Sequence, residues 1–288
     1  MKTAPGTVAA VEIGGIKCYA PELAHSEQDY PAEAYARLVE LEANNFWFRS
    51  RNRIISGIFR KYLPTPPRAK VLEIGCGTGF VLSSLHAENR FELVGAERHL
   101  SGLIFAKQRL PELEFVQLNA RQLPYRSEFH AIGAFDVLEH IDADEEVMAN
   151  VHSALMPAGL FVITVPQHAW LWSAADEHAH HKRRYSRAEL TAKLTQAGFK
   201  LLFCSSFVFT LLPLMYASRL RRKSGSAQTQ AGEDSYGELA LPGIVDAAFS
   251  AAMRIDEWLI AAGVSLPAGG SLLAVAQKKY RLMPHLAL

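Results

Sequence analysis

Cysteine is scarce: the 288 residues contain three, Cys18, Cys76 and Cys204. An odd, widely separated set builds neither a disulfide framework nor a zinc knuckle, and it suits a reducing compartment. An excess of one charge sign is missing too. There are 30 Lys plus Arg against 29 Asp plus Glu, a formal net charge of +1. The chain therefore carries no general field for a polyanion, and no nucleic-acid partner is expected. No apolar run reaches the about 18 residues of a membrane-spanning helix. The longest, Phe207 to Ala217, is interrupted by Pro213. Met1 to Ala10 holds one lysine, an early Pro5-Gly6 and no sustained apolar stretch, unlike a secretory leader. The expected location is the cytoplasm. Internal repeats are absent.

Core-forming material is plentiful. With 49% hydrophobic and 20% charged residues, the chain can bury enough apolar surface to offset its ordering entropy, which excludes disorder throughout. Helix-like and strand-like periodicities alternate from about residue 30 to 210, the pattern of a parallel α/β sheet. Tyr35, Leu38, Leu41, Phe46, Ile54, Ile55 and Ile58 recur at helical spacing ahead of Pro64-Thr65-Pro66-Pro67, which cannot continue a helix. Strands are predicted at 70–74, 91–96, 115–118, 130–135, 160–165, 201–209 and 271–277. Helices are predicted at 80–87, 101–110 with Ser101 as N-cap, 143–155 closed by Pro157-Ala158-Gly159, 187–196 with Ser186 as N-cap, and 245–262. Residues 1–30 are weakly patterned, and 224–237 reads as a mobile loop rich in Ser, Gly, Gln and Ala.

The most informative segment is Glu73-Ile74-Gly75-Cys76-Gly77-Thr78-Gly79, between the first predicted core strand and its helix. Glycines let a backbone turn sharply and approach a ligand where a side chain would collide, and a helix N-terminus offers unpaired N–H groups. A tight turn with no ligand is the plain alternative. Three companions favour a ligand. Glu97 ends the second strand at the interval where ribose hydroxyls are gripped. The spacing is Gly-x-Gly-x-Gly, not the dinucleotide Gly-x-Gly-x-x-Gly. Residues 118–124 and 135–141 supply further loops at the carboxyl ends of strands, where open sheets bind ligands.

The combination of this turn with Glu97, Val137-Leu138-Glu139-His140-Ile141 and Pro157-Ala158-Gly159 resembles the class I S-adenosylmethionine-dependent methyltransferases, particularly the group containing ubiquinone- and menaquinone-pathway enzymes. The resemblance covers about residues 45–210 and, more loosely, the final strand. It implies an α/β Rossmann-like three-layer sandwich with a seven-stranded, mostly parallel sheet whose last strand lies antiparallel beside the fifth. Residues 1–66 would form an N-terminal extension and helical cap, and 67–288 the methyltransferase domain. An insert at about 211–268, between strands six and seven, would serve as substrate lid or membrane-contacting element. The implied cofactor is S-adenosyl-L-methionine, with S-adenosyl-L-homocysteine as product. The implied reaction moves a methyl group to an O or N nucleophile of a small or hydrophobic, even lipid-linked, metabolite. A non-methylating enzyme that keeps the cofactor and a catalytically silent binding subunit are the alternatives on the same fold.

Carried over by position, Glu73, Gly75, Cys76, Gly77 and Gly79 would surround the methionine and ribose portions, with Cys76 a small packed side chain and not a nucleophile. Glu97, beside Arg98, would accept from both ribose hydroxyls, as a carboxylate does well. Asn119, where the family often has Asp, and the backbone of Ala120 would meet adenine. Asp136, Val137 and Leu138 would border the methyl end. Phe46 to Arg53 also resembles a segment of a bacterial subgroup, in which Arg51 or Arg49 would approach the cofactor carboxylate; an amphipathic helix with solvated arginines would give the same periodicity.

For acceptor activation the candidates lie after the fifth strand, where His181 to Tyr185 resembles a His-x-Arg-x-Tyr stretch of related enzymes. His181 ranks first as general base and His178 second, since imidazole titrates near neutrality. Tyr185 would be an orienting or substrate-facing hydroxyl. Alternatively, His181, Arg184 and Tyr185 peg the loop to the sheet and cap the next helix. No metal is expected, because His178, His180 and His181 share a face in neither helix nor strand. Residues 207–223, apolar with a basic end at Arg219, Arg221, Arg222 and Lys223, would make peripheral contact with an anionic membrane or form a core-packed lid.

Overall fold

The computed structural model describes residues 10–24, 32–63, 68–224 and 241–279. The expected loop at 224–237, apart from Ser224, and Pro64 to Pro67 lie outside the described residues.

Short aliphatic runs form the central parallel strands β3 (Ala69–Ile74), β4 (Phe91–Glu97), β5 (Glu114–Gln117), β6 (Phe129–Phe135) and β7 (Leu155–Pro166), in the order β5-β4-β3-β6-β7. After β7 come β8 (Phe199–Phe207) and β9 (Ser271–Lys278), and β9 inserts antiparallel between β7 and β8. Alternation along each strand feeds two cores, as burial on both faces requires. Val71 joins one face with Leu82, Leu103 and Ile55. Leu72 and Ile74 join the other with Val147, Val151 and Leu190. The first face is covered by α2 (Phe46–Tyr62), α3 (Phe80–His86), α4 (Leu100–Arg109) and α9 (Gly243–Ala261), the second by α5 (Asp144–Ala154) and α7 (Arg187–Gln196). This is the expected Rossmann-like three-layer sandwich.

Among the described residues the sheet has nine strands, not seven. The two additional ones are a hairpin, β1 (Val11–Ile13) and β2 (Ile16–Cys18), turned by Gly14 and Gly15 at φ 58° and 75°. A two-residue turn with positive φ at both positions matches the twist of an antiparallel pair. β2 then adds parallel to β5, pairing Lys17 with Val116 and Cys18 with Gln117. The N-terminal extension thereby shares the domain's sheet.

Two local expectations shift. Helix α4 starts one residue earlier, with His99 and not Ser101 at its N-cap. Pro157-Ala158-Gly159 lies within β7, where Ala158 takes φ 61° and the register with β6 is irregular. Ser186 caps α7 as expected, accepting from the Glu189 N–H at 3.1 Å.

Helix α2 carries the periodicity read at 46–58, with Asn45 as its N-cap accepting from Trp47. Its inner face buries Ile54, Ile55, Ile58 and Phe59. Its polar face is engaged as well: Arg49 pairs with Asp246 at 2.5 Å, Arg53 with Glu257 at 2.6 Å, and Ser50 bonds Glu257 at 2.7 Å. These acids belong to α9, so the insert clamps α2 onto the sheet. Buried Asp256, also on α9, accepts from the backbone N–H groups of Phe209 (2.6 Å) and Thr210 (3.2 Å) and from the Thr210 hydroxyl (3.0 Å). It thus fixes the turn between β8 and α8 (Leu212–Ser224). Asp256→Ala strands two backbone donors, and a loss of about 1–3 kcal/mol in urea unfolding is expected.

Candidate functional site

The glycine-rich turn leaves β3 through three left-handed residues: Gly75 at φ 68°, Gly77 at 51° and Gly79 at 76°. Each has a different reason to be glycine. A Cβ on Gly75 would collide with the Val137 side chain, and one on Gly79, the N-cap of α3, would meet Ala106 at 3.3 Å. A Cβ on Gly77 would meet nothing within 4 Å. It would project into open space.

That space is a cavity of about 710 Å³ at the carboxyl ends of β3, β4 and β6. Gly75, Cys76 and Gly77 line it beside Glu73. Glu97, Arg98, Asn119 and Ala120 line it as well. Asp136, Val137, His140 and His181 complete the lining, together with Arg51 from α2. Four candidates fall elsewhere. Gly79 faces α4, Leu138 is fully buried in the second core, His178, the exposed last residue of α6 (Ala174–His178), is not a lining residue, and Tyr185 is fully buried away from the cavity.

Glu97 is held in place by its own turn: its carboxylate accepts from the N–H groups of Gly77 (3.1 Å), Arg98 (2.6 Å) and His99 (3.3 Å). Asn119 caps a short turn through its Oδ1, which accepts from Arg121 at 3.0 Å. Burial pushes Glu73 well above the ordinary carboxylate range, despite Arg51 nearby. Burial also keeps the Cys76 thiol protonated, with Glu73 and Glu97 adding to the effect. This agrees with a packed thiol and not with a nucleophile.

Arg51, not Arg49, reaches the cavity. It pairs with Asp136 and stacks over Trp47 at 4.7 Å, and its Nε has no hydrogen-bond partner among the described residues. Asp136 sits at φ 58°, a left-handed position uncommon for a non-glycine residue. It is held there by Thr164, whose carbonyl accepts from its N–H at 2.9 Å and whose hydroxyl donates to its carboxylate at 3.1 Å.

The loop after β7 is organised by a residue that sequence reasoning did not single out. Asp176, 1% exposed, accepts from Arg184 through two bonds (2.7 and 2.9 Å), from the Ser173 N–H (2.8 Å), and pairs with His181 Nδ1 at 2.9 Å. Burial opposes its ionisation, yet the bonds from His181 and Arg184 hold its carboxyl well below the ordinary range. Tyr185 is not substrate-facing: it is fully buried and donates to Asp144 at 2.7 Å. Arg184 and Tyr185 therefore peg the loop, while His181 lines the cavity. Glu42 is a second missed residue. Buried on α1 (Ala32–Glu42), it accepts from the Thr78 hydroxyl at 2.7 Å and from Arg109 at 3.0 Å, tying the cap to the glycine turn. No local pattern marks Glu42, because both partners are distant in sequence. Ser173-x-x-Asp176 is a readable helix-start signal.

Comparison with known proteins identifies the family. Residues 45–202 match the family model described as a methyltransferase domain. The chain belongs to that family, the class I S-adenosylmethionine-dependent methyltransferases. It is 25% identical over 163 residues to a protein of Mycolicibacterium smegmatis described as a probable S-adenosylmethionine-dependent methyltransferase, a match covering 56% of this chain and 62% of that one. It is 24% identical over 131 residues to demethylmenaquinone methyltransferase of Chlorobaculum tepidum, covering 45% and 52%. The chain thus spans less than two thirds of either relative. The fold is shared with phosphoethanolamine N-methyltransferase 2 of Haemonchus contortus, solved with S-adenosyl-L-methionine, at a TM-score of 0.60 and 14% identity over 90% of this chain and 60% of that one.

The glycine turn makes a prediction about stability and binding together. Gly75→Ala and Gly77→Ala both meet the left-handed backbone cost of about 1–2 kcal/mol, but only the former collides with Val137. Urea unfolding should show the larger loss for Gly75→Ala. Calorimetry should show that Gly77→Ala weakens S-adenosylmethionine binding beyond what its smaller loss of stability explains.

Proposed function

We propose that the chain transfers the methyl group of S-adenosylmethionine to an oxygen or nitrogen of a small or hydrophobic acceptor entering on the His181 side. The observation that carries this reading is one cavity lined both by Gly77 and Glu97 and by His140 and His181. The cofactor's sulfonium is already an activated donor. The protein's task is to align an acceptor lone pair with it, and such alignment supplies up to about 7–11 kcal/mol of the barrier.

The residues divide the work. Glu97, preset by three backbone N–H groups, keeps its carboxylate for the ribose hydroxyls, and Gly75 and Gly77 leave room for the cofactor chain. Arg51, pinned between Trp47 and Asp136, meets the cofactor's carboxylate. His181, oriented by Asp176, activates the acceptor. A hydrophobic or lipid-linked acceptor is supported by exposed apolar surface on the turn after β7 and on α8. Trp170 and Tyr216 are about half exposed with ring centroids 5.7 Å apart, and Leu214, also on α8, is equally open. Among the described residues no helix is long and apolar enough to cross a membrane, so contact with lipid would be peripheral.

Mass spectrometry of the purified chain should find S-adenosylmethionine or its demethylated product, and Glu97→Ala should weaken cofactor binding about 10–100-fold, the worth of hydrogen bonds to a charged group. With methyl-labelled cofactor and a metabolite extract, His181→Ala should keep cofactor binding and lose label transfer. Near-wild-type transfer would remove His181 from the chemistry. Flotation with anionic vesicles should carry the wild type upward and leave Leu214→Ser/Tyr216→Ser behind; a wild type that stays at the bottom would end the lipid reading.

A further inference from the structure

Three metal-ligating side chains from two different loops converge behind the cavity wall. Glu139 and His140 follow β6, and His181 follows β7. One donor atom from each lies within 4.8 Å of the other two. Glu139 Oε1 stands 4.0 Å from His181 Nε2, and the two imidazoles meet edge to face at 4.7 Å. Glu139 has no exposed surface, and neither of its carboxylate oxygens has a hydrogen-bond partner among the described residues. A carboxylate buried without partners is costly, and such groups in native proteins are paired or coordinate a metal.

We propose that Glu139, His140 and His181 bind one divalent transition-metal ion of the zinc, manganese or iron(II) type, with coordination positions left open towards the cavity. The surroundings are those of a ligand set. Ligating histidines commonly give their other ring N–H to a carboxylate or a backbone carbonyl, which fixes the tautomer and leaves one lone pair for the metal. His181 has this arrangement through Nδ1 on Asp176 at 2.9 Å, and Arg184 clamps Asp176 in turn. Two imidazoles with one carboxylate suit transition metals over calcium or magnesium, and three protein ligands leave room for a further one. His140 and His181 line the cavity while Glu139 sits behind them, so the free positions face the acceptor side. Spacing within 178–181 cannot reveal the site, because two of its ligands come from another loop.

This inference rests on the proposed reading for its purpose: a cation here would act as a Lewis acid on an acceptor heteroatom, and His181 would act through the ion and not as a free base. The test does not depend on turnover. Chelator-treated protein is titrated with Co²⁺, followed by visible absorption, and with Zn²⁺, followed by calorimetry. Saturation at one equivalent with new Co²⁺ bands is expected. Glu139→Gln and His181→Ala should each abolish the bands, and Asp176→Asn should weaken binding about 10–100-fold. Retained S-adenosylmethionine binding in each variant verifies that it is folded. The site is overturned if the wild type gives neither bands nor heat, or if Glu139→Gln and His181→Ala bind Co²⁺ as the wild type does. A protein that binds the cofactor but no metal loses only this site; one that binds metal but no cofactor loses only the methyltransferase reading.

Discussion

The left-handed backbone at the end of β3 is the constraint around which the site is arranged. With Gly75, Gly77 and Gly79 all at positive φ, the chain leaves the sheet and enters α3 with no Cβ at these three positions. Val137 packs against the first glycine and Ala106 against the last. Only the middle one opens outward. Glu97 completes the turn by accepting from the Gly77 N–H, so a carboxylate that lines the cavity also holds the loop that shapes it.

The N-terminal helices extend this principle. Glu42 reaches from α1 to Thr78 and Arg109, and Arg51 reaches from α2 to Asp136. Both contacts place charge in low-dielectric surroundings, where an ion pair adds little net stability but losing one partner is expensive. They are better understood as registration devices that place the cap over the cavity. Helix α9 reinforces that placement through Asp246 and Glu257. The near-neutral net charge of the chain therefore conceals dense local pairing along α2.

Much of this was legible in the sequence, for identifiable reasons. The central strands are nearly continuous aliphatic runs, and glycines followed by an acid one strand later carry a backbone requirement that side-chain substitution cannot mimic. Elements specified by long-range partners were not legible. The hairpin at 11–18 is too short for periodicity to register, although Gly14-Gly15 is itself a turn signal. Tyr185 reads as a hydroxyl near the chemistry, but its partner Asp144 lies on another helix and draws it into the core. Asp176 orients His181 from five residues away; Ser173-x-x-Asp176 marks a helix start, but nothing in that pattern ties the carboxylate to His181. Arg49 and Arg51 look equivalent in sequence, and only the helical turn between them decides which faces the cavity.

The most direct test of the account is a crystal structure of the chain grown with S-adenosyl-L-homocysteine. The account predicts density along the Gly75–Gly77 turn with both ribose hydroxyls on Glu97 and the sulfur directed towards the His140–His181 wall. An empty cavity at saturating ligand, or a ligand bound elsewhere on the molecule, would contradict it.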